Sequence, residues 1–302
     1  MSADAITVVG SVAFDTIETP LGRAEGVLGG SAAHFAVAAS FFAPVALVAV
    51  VGEDFPEAER DYLASRGIDL SGLEVRPGRT FRWSGRYHED MNVRDTLALE
   101  LNVFADFRPR LSEALRASPF VFLANIDPEL QESVLEQFHD PRIVACDTMN
   151  HWIASAREPL EALLPRVDLL VVNDEEARLL SGEHNVARAA RRILELGARS
   201  VLVKRGEYGA LLFSPQSVFA VPAYPLEEVF DPTGAGDAFA GGLMGYLAAT
   251  GERSEGGLRR AIVFGSVLAS FVVEDFGGQR LRTLTRDDID GRYRQFVALT
   301  EF

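Results

Sequence analysis

Short, continuously apolar runs alternate with helix-period patterns along most of the chain. "AITVVG" (5–10), "VALVAVVG" (45–52), "FVFLAN" (120–125), "RIVACD" (142–147), "DLLVVN" (168–173) and "SVLVKRG" (200–206) have the length and unbroken hydrophobicity of strands buried on both faces. Between them lie "SAAHFAVAASFF" (31–42), "FPEAERDYLASRG" (55–67), which is amphipathic and stops at Gly67, and "NVARAARRILELGA" (185–198), all read as helices. A meander through "ALLFS" (210–214) and "SVFAVP" (217–222) leads into a last third that is mostly helical. The pattern predicts an α/β fold with a mostly parallel central sheet and helices on both faces. Ligands of such sheets bind beyond the carboxyl ends of the strands. The polar residues there are Asp15, Asn125, Asp127, Asp147, Asn150, Asn173 and Lys204.

Two stretches break this rhythm. "FDTIETPLGRAEGVLGG" (14–30) is short and turn-rich, and "TFRWSGRYHEDMNVRDTLALELNVFADF" (80–107) alternates large and polar residues as antiparallel strands do. They are expected to form a small antiparallel sheet from segments 12–30 and 78–108, inserted into a single domain spanning 1–302 and serving as a lid. It would carry Phe81, Arg82, Trp83, Arg86, Tyr87 and His88. The aromatics suit a flat base or sugar face, or alternatively packing within the lid or across a dimer seam. Arg82 and Arg86 could clamp a substrate phosphate.

Charge narrows the partners. With 44 acidic and 29 basic residues the net charge is −15, which repels nucleic acid and anionic membrane. The longest apolar run, 41–52, is interrupted by Pro44 and too short for a bilayer, and "MSADAITVVG" has no signal-type opening. A cytoplasmic protein is expected. Cys146 is the single cysteine, so no internal disulfide forms, and it reads as a reduced core residue.

The densest chemistry lies in "DPTGAGDAFAGG" (231–242). It lacks the lysine of a P-loop, and Phe239 occupies the third glycine position of a dinucleotide fingerprint. A helix over 237–249 would place Gly234, Ala235 and Gly236 at its amino end, where free N–H groups and the helix dipole bind anions. Asp237 in the same turn could accept a hydroxyl proton, or could simply favour the helix start. The dipole is expected to lower its pKa and make it a weak base.

"DPTGAGDAFAGG" resembles the carboxy-terminal signature of the ribokinase (PfkB) family of carbohydrate and nucleoside kinases, and "GGSAAHFAVAAS" (29–40) resembles the amino-terminal one. "GSVAFD" (10–15), "NDEE" (173–176) and "VKRGEYGA" (203–210) resemble three further family segments, in family order. The resemblance implies the three-layer ribokinase-like fold and an ATP-dependent kinase. It would transfer the γ-phosphoryl group to a primary hydroxyl of a small sugar or nucleoside, with Asp237 as base and Gly234, Ala235 and Gly236 as anion hole. It implies Asp15, Gly29, Gly30, Ser31, His34, Asn125 and Trp83 on the acceptor side, and Asn173, Lys204, Gly206, Gly209 and Ser266 around ATP. Glu176 would hold Mg2+ through water. Asp231, Thr233, Val272, Asp275 and Gly277 would form a monovalent-cation (K+) site, although Leu281 stands where the family often has a hydroxyl. His34 replaces the family's usual Asn, and reads either as a substrate contact or as a core histidine. Trp152 stands where an Arg often follows Asp147 and Asn150. A homodimer through the lid is implied by resemblance alone. Two other readings stay open, a sugar-phosphate kinase of phosphofructokinase-B type and a non-catalytic ligand-binding member of the fold.

Overall fold

The computed structural model describes residues 4–301; the first three residues of the acidic opening stretch and Phe302 lie outside the described residues. Nine strands form one sheet: β1 (Ile6–Val9), β4 (Val45–Gly52), β5 (Ile68–Arg76), β8 (Phe120–Leu123), β9 (Ile143–Asp147), β10 (Leu169–Asn173), β11 (Val201–Lys204), β12 (Ala210–Phe213) and β13 (Val218–Val221). Four form a second: β2 (Ala13–Thr19), β3 (Gly22–Gly29), β6 (Phe81–Tyr87) and β7 (Arg94–Glu100).

The large sheet runs β13-β12-β11-β10-β9-β8-β1-β4-β5. It is parallel from β11 to β5 and ends in the antiparallel meander β11-β12-β13. Its period-2 alternation feeds two cores. Val45, Leu47, Ala49 and Val51 point into one with the helices Ser31–Ala39, Ala235–Thr250 and Glu255–Val272. Ala46, Val48 and Val50 point into the other with Pro128–Leu135, Arg157–Leu163 and Val186–Glu195. Both faces are thus covered, which is why the strands read as unbroken apolar runs. The edge strand β5, "IDLSGLEVR", is the one the pattern missed, because it is half-exposed and contains Gly72.

Helix Ala235–Thr250 lies between Ser31–Ala39 and Glu255–Val272. A Cβ on Gly241 would meet the Phe35 carbonyl at 2.4 Å, and one on Gly242 the Phe264 carbonyl at 2.9 Å. These glycines set the helix spacing and leave the glycines at 234 and 236 for another purpose. Among the described residues no single helix is long and apolar enough to cross a membrane. Cys146 is buried, with its thiol near Gln131 and its pKa pushed up by burial first and then by Asp147.

The small sheet departs from the expectation in one respect. Its hairpins β2-β3 and β6-β7 are antiparallel, but they join through a parallel β2-β6 pair, because β2 and β6 follow the carboxyl ends of the parallel strands β1 and β5.

Candidate active site

Strand order reverses between β1 and β8, and the crevice at such a switch point is where open α/β sheets place ligands. Ser11 and Asn125 follow these two strands, Asp147 and Asn173 end β9 and β10, and Lys204 ends β11. Of the residues singled out from the sequence, Asn125, Asp147, Asn173 and Lys204 therefore share one rim, while Asp15 lies in β2 of the small sheet and Asp127 caps the helix Pro128–Leu135.

The glycine-rich stretch closes that rim. Gly234 caps helix Ala235–Thr250 in the left-handed region, φ 78. The Ala235 N–H turns back to the Pro232 carbonyl at 3.2 Å, and the next amides, of Gly236 and Asp237, lack intrahelical acceptors. The turn is cramped from below. A Cβ on Gly234 would meet the His34 ring at 2.5 Å, and one on Gly236 would meet Lys204 Nζ at 2.7 Å. Only glycine admits an anion this close to a histidine and a lysine.

Lys204 Nζ lies 3.5 Å from Asp147 Oδ2, with both side chains largely buried. Burial lowers its proton affinity, but Asp147, Glu176 and Asp237 overcome this and hold it charged. One buried cation does not satisfy three carboxylates. Burial raises the pKa of Asp147 against the pull of Lys204, and burial with Asp147 pushes Glu176 up to about 7. Asp237 also rises, through burial first and Asp147 second, with Lys204 and Arg94 opposing. The expected lowering by the helix dipole is thus corrected: desolvation and a neighbouring carboxylate outweigh one helix end.

Asn173 and Glu176 form a reciprocal cap. The Glu176 N–H donates to Asn173 Oδ1 and the Asn173 N–H to Glu176 Oε2, both at 2.7 Å. Glu176 keeps one carboxylate oxygen for other use. Among the described residues no three His, Cys, Asp or Glu side chains converge on a metal position. A magnesium ion fits here only as this cation usually binds, through phosphates, water and sparse carboxylate contact, and the uncompensated negative charge suits it. Gly206 and Gly209, both at positive φ, shape the turn after Lys204. Ser266 is buried and its hydroxyl donates to the Ile262 carbonyl, 3.2 Å, within its own helix.

Asp231 is fully buried and ties two loops together. Its carboxylate accepts from the Thr233 N–H and the Gly277 N–H, each at 2.8 Å. Asp275 Oδ1 accepts from the Phe276 N–H, while its own N–H reaches toward the Val272 carbonyl at 3.5 Å. Each Asp231 oxygen thus accepts one amide hydrogen bond and keeps a lone pair.

On the acceptor side, Asp15 is buried in β2 against Gly29, whose Cβ would overlap the carboxylate at 2.1 Å. Its pKa is pushed up to about 7 by burial and by Asp231, while the Gly30 N–H and Arg94 oppose. Ser31 N–H donates to Ser11 Oγ at 3.0 Å, fixing the start of helix Ser31–Ala39. His34 is buried and neutral, its pKa lowered to about 4 by desolvation. Its Nε2 has no partner, nor do Asn125 Oδ1, Thr148 Oγ1 and Asn150 Oδ1, although all four atoms are buried. Orphaned polar atoms are costly without a ligand or water. A cavity of about 20 Å³ beside His34, lined also by Tyr62, Gly278 and Arg282, has room for one water. Thr148 was missed by sequence reasoning; its place directly after Asp147 was the available signal.

Over this rim lies the small sheet. Trp83 sits beside Asp15 in the β2-β6 register and donates from Nε1 to Thr96 Oγ1 at 3.3 Å. Arg82 and Arg86 do not face the site. Arg82 pairs with Asp54 at 2.9 Å and Arg86 with Glu18 at 2.7 Å. Side chains alternate along a strand, so Trp83 and Tyr87 face inward while residues 82 and 86 face out. Tyr87 OH accepts from Thr233 Oγ1 at 3.1 Å. Another functional candidate missed in the sequence is Arg94, paired with Tyr87 across β6-β7. The strand alternation could have found it.

Comparison with known proteins agrees with this geometry. Residues 3–284 match the family model described as pfkB family carbohydrate kinase. A cytidine kinase of Thermococcus kodakarensis is 35% identical over 247 residues, covering 80% of this chain and 88% of the relative. A nucleoside kinase of Methanothermobacter thermautotrophicus is 29% identical over 294 residues, 91% of each chain. Among solved structures, Burkholderia thailandensis nucleoside kinase in complex with inosine aligns with a TM-score of 0.78 at 20% identity, over 97% of this chain and 99% of that one. Thermotoga maritima ribokinase aligns at 0.76 and 23%, over 96% and 99%. At these identities the structural likeness speaks for the fold. Family match and relatives together carry the activity: the chain belongs to the pfkB family of carbohydrate kinases and is an ATP-dependent phosphotransferase with an alcohol group as acceptor.

Proposed function

We propose that the acceptor is a nucleoside, phosphorylated on its primary hydroxyl, with a pyrimidine nucleoside as first candidate. The carrying observation is the set of unpartnered, buried, neutral polar atoms: Asn125 Oδ1, Thr148 Oγ1 and Asn150 Oδ1 after β8 and β9, and His34 Nε2 on helix Ser31–Ala39 beneath the glycine turn. Such atoms suit hydroxyls and ring nitrogens. With Arg82 and Arg86 held by carboxylates, they offer less to a sugar phosphate. Similarity to a cytidine kinase supports the same choice.

In this reading the paired ribose hydroxyls donate to the Asp15 carboxylate. Asp237, more basic than an ordinary carboxylate, takes the proton of the primary hydroxyl as its oxygen meets the γ-phosphorus. The amides of Gly234 to Gly236 receive the charge that builds on the phosphoryl oxygens, with Lys204 beside them. Mg2+, bound with ATP and reached by Glu176 through water, would neutralise phosphate charge. Segments 12–30 and 78–108 act as a lid that excludes water, within one catalytic unit. Strand β7 is exposed along its whole length and, with its flanks, displays Val93, Leu97, Leu99 and Leu101, which supports a dimer formed through the lid.

A screen of nucleosides, pentoses, hexoses and hexose phosphates for ADP release tests the acceptor. Highest kcat/KM on a nucleoside is expected, and turnover on hexose phosphates alone would reject it.

A further inference from the structure

The lid's arginines divide into two kinds. Arg23, Arg79, Arg82 and Arg86 each sit on a carboxylate: Glu25 at 2.7 Å, Glu100 at 3.8 Å, Asp54 at 2.9 Å and Glu18 at 2.7 Å. Arg94 has no carboxylate partner among the described residues: its guanidinium meets the Tyr87 hydroxyl instead, and the residue stays partly open to solvent.

Its position is fixed by three contacts of the β6-β7 hairpin. Arg94 is the register partner of Tyr87, and directly opposed residues of an antiparallel pair share a face. On that face Tyr87 OH bonds Thr233, one residue before the anion turn. The hairpin's tip reaches the nucleotide turn, where a Cβ on Gly206 would lie 2.1 Å from Asn92 Oδ1. Arg94 therefore hangs from a strand braced at both ends of the cleft, with its Cζ 5.9 Å from the Trp83 ring. Its charge is felt by Asp15, Glu176 and Asp237, each of which it pulls toward ionisation.

We infer that Arg94 is a catalytic residue: its guanidinium binds the phosphoryl group in flight, across from Lys204, so that lid closure supplies the second cation of the site. The acceptor oxygen forms its bond to the γ-phosphorus as its proton passes to Asp237. The bond from that phosphorus to the bridging oxygen breaks, and the electron pair leaves on ADP. Arg94 makes and breaks no covalent bond; its fork of donors fits the equatorial oxygens. A lid-borne cation that no carboxylate neutralises couples chemistry to closure, since an open lid would leave Lys204 alone against the charge.

The inference rests on the proposed site with Asp237 as base and is independent of the acceptor's identity. The test runs on whichever acceptor turns over best, so failure of the nucleoside assignment leaves it intact. Arg94→Ala should lower kcat by roughly 10³-fold, as loss of an arginine finger does. The dissociation constant of ATP should stay within about threefold, added guanidinium should restore part of kcat, and Arg79→Ala should match the wild type. Arg94→Lys, which keeps the charge and loses the fork, should fall between and serves if the alanine variant does not fold. A kcat within about threefold of wild type, a loss confined to the acceptor KM, or no recovery by guanidinium would overturn it.

Discussion

The strand ends of the large sheet and the small sheet above them treat charge in opposite ways. Below, Asp147, Glu176 and Asp237 are crowded around one buried lysine, and each is held above its ordinary pKa. Above, most arginines are matched by carboxylates near solvent, Arg82 by Asp54, and Arg86 and Arg23 by Glu18, with Glu25 also on Arg23. Exposed pairs contribute little to stability and hold little in reserve. Crowded, buried carboxylates are costly to fold and are the groups that a cationic or proton-bearing ligand relieves. The proposed chemistry sits where charge is left unbalanced, and Arg94 is the lid arginine without a carboxylate partner among the described residues.

The largest effect that would sharpen the contrast is at the crowded end. Asp237→Asn should cut kcat by about 10³-fold, within the range for loss of a general base, while ATP still binds. Single-turnover kinetics with calorimetric ATP binding would check this, and near-normal kcat would remove the base from the scheme.

Asp15 offers an intermediate effect with a definite sign. Its folded-state pKa of about 7 lies above the ordinary 3.8. Above pH 7 the carboxylate is ionised in both states, and the folded protein bears the full cost of burying it. As pH falls below 7 the folded state takes up a proton before the unfolded state does, and the cost shrinks until both are protonated near 4. Asp15→Asn should therefore abolish acceptor binding yet stabilise the protein at pH 8, by at most about 4 kcal/mol for a three-unit shift. That gain should fade between pH 7 and 4. Denaturant melts of both proteins across this range would show it, and equal stability at pH 8 would contradict the burial cost.

The smallest effect belongs to the exposed strand. Leu97→Ser with Leu99→Ser should convert a dimer to a monomer in light scattering at unchanged melting temperature. A monomeric wild type would discard the lid dimer.

The layers of the large sheet were legible because burial on both faces writes itself as unbroken apolar runs, and β4 matches its run residue for residue. β5 was not, since an edge strand carries no such run. The placement of Gly234 to Asp237 at a helix start was legible too, because only glycine-rich sequence at a helix end reads that way. The sign of the Asp237 shift was not, because it depends on Asp147, ninety residues earlier, sharing its desolvated space. That Arg86 turns to Glu18 was not legible either, since it is settled by the β2-β6 register.

The sequence by itself determined the α/β architecture, the helix-end anion turn with its aspartate and the family's motifs, because each is a local pattern of burial or backbone freedom. Only the tertiary structure decided which carboxylates share a cation, which polar atoms lack partners and which lid arginine meets no carboxylate among the described residues. Those depend on distances between residues far apart in the chain, and electrostatics and desolvation act through distance.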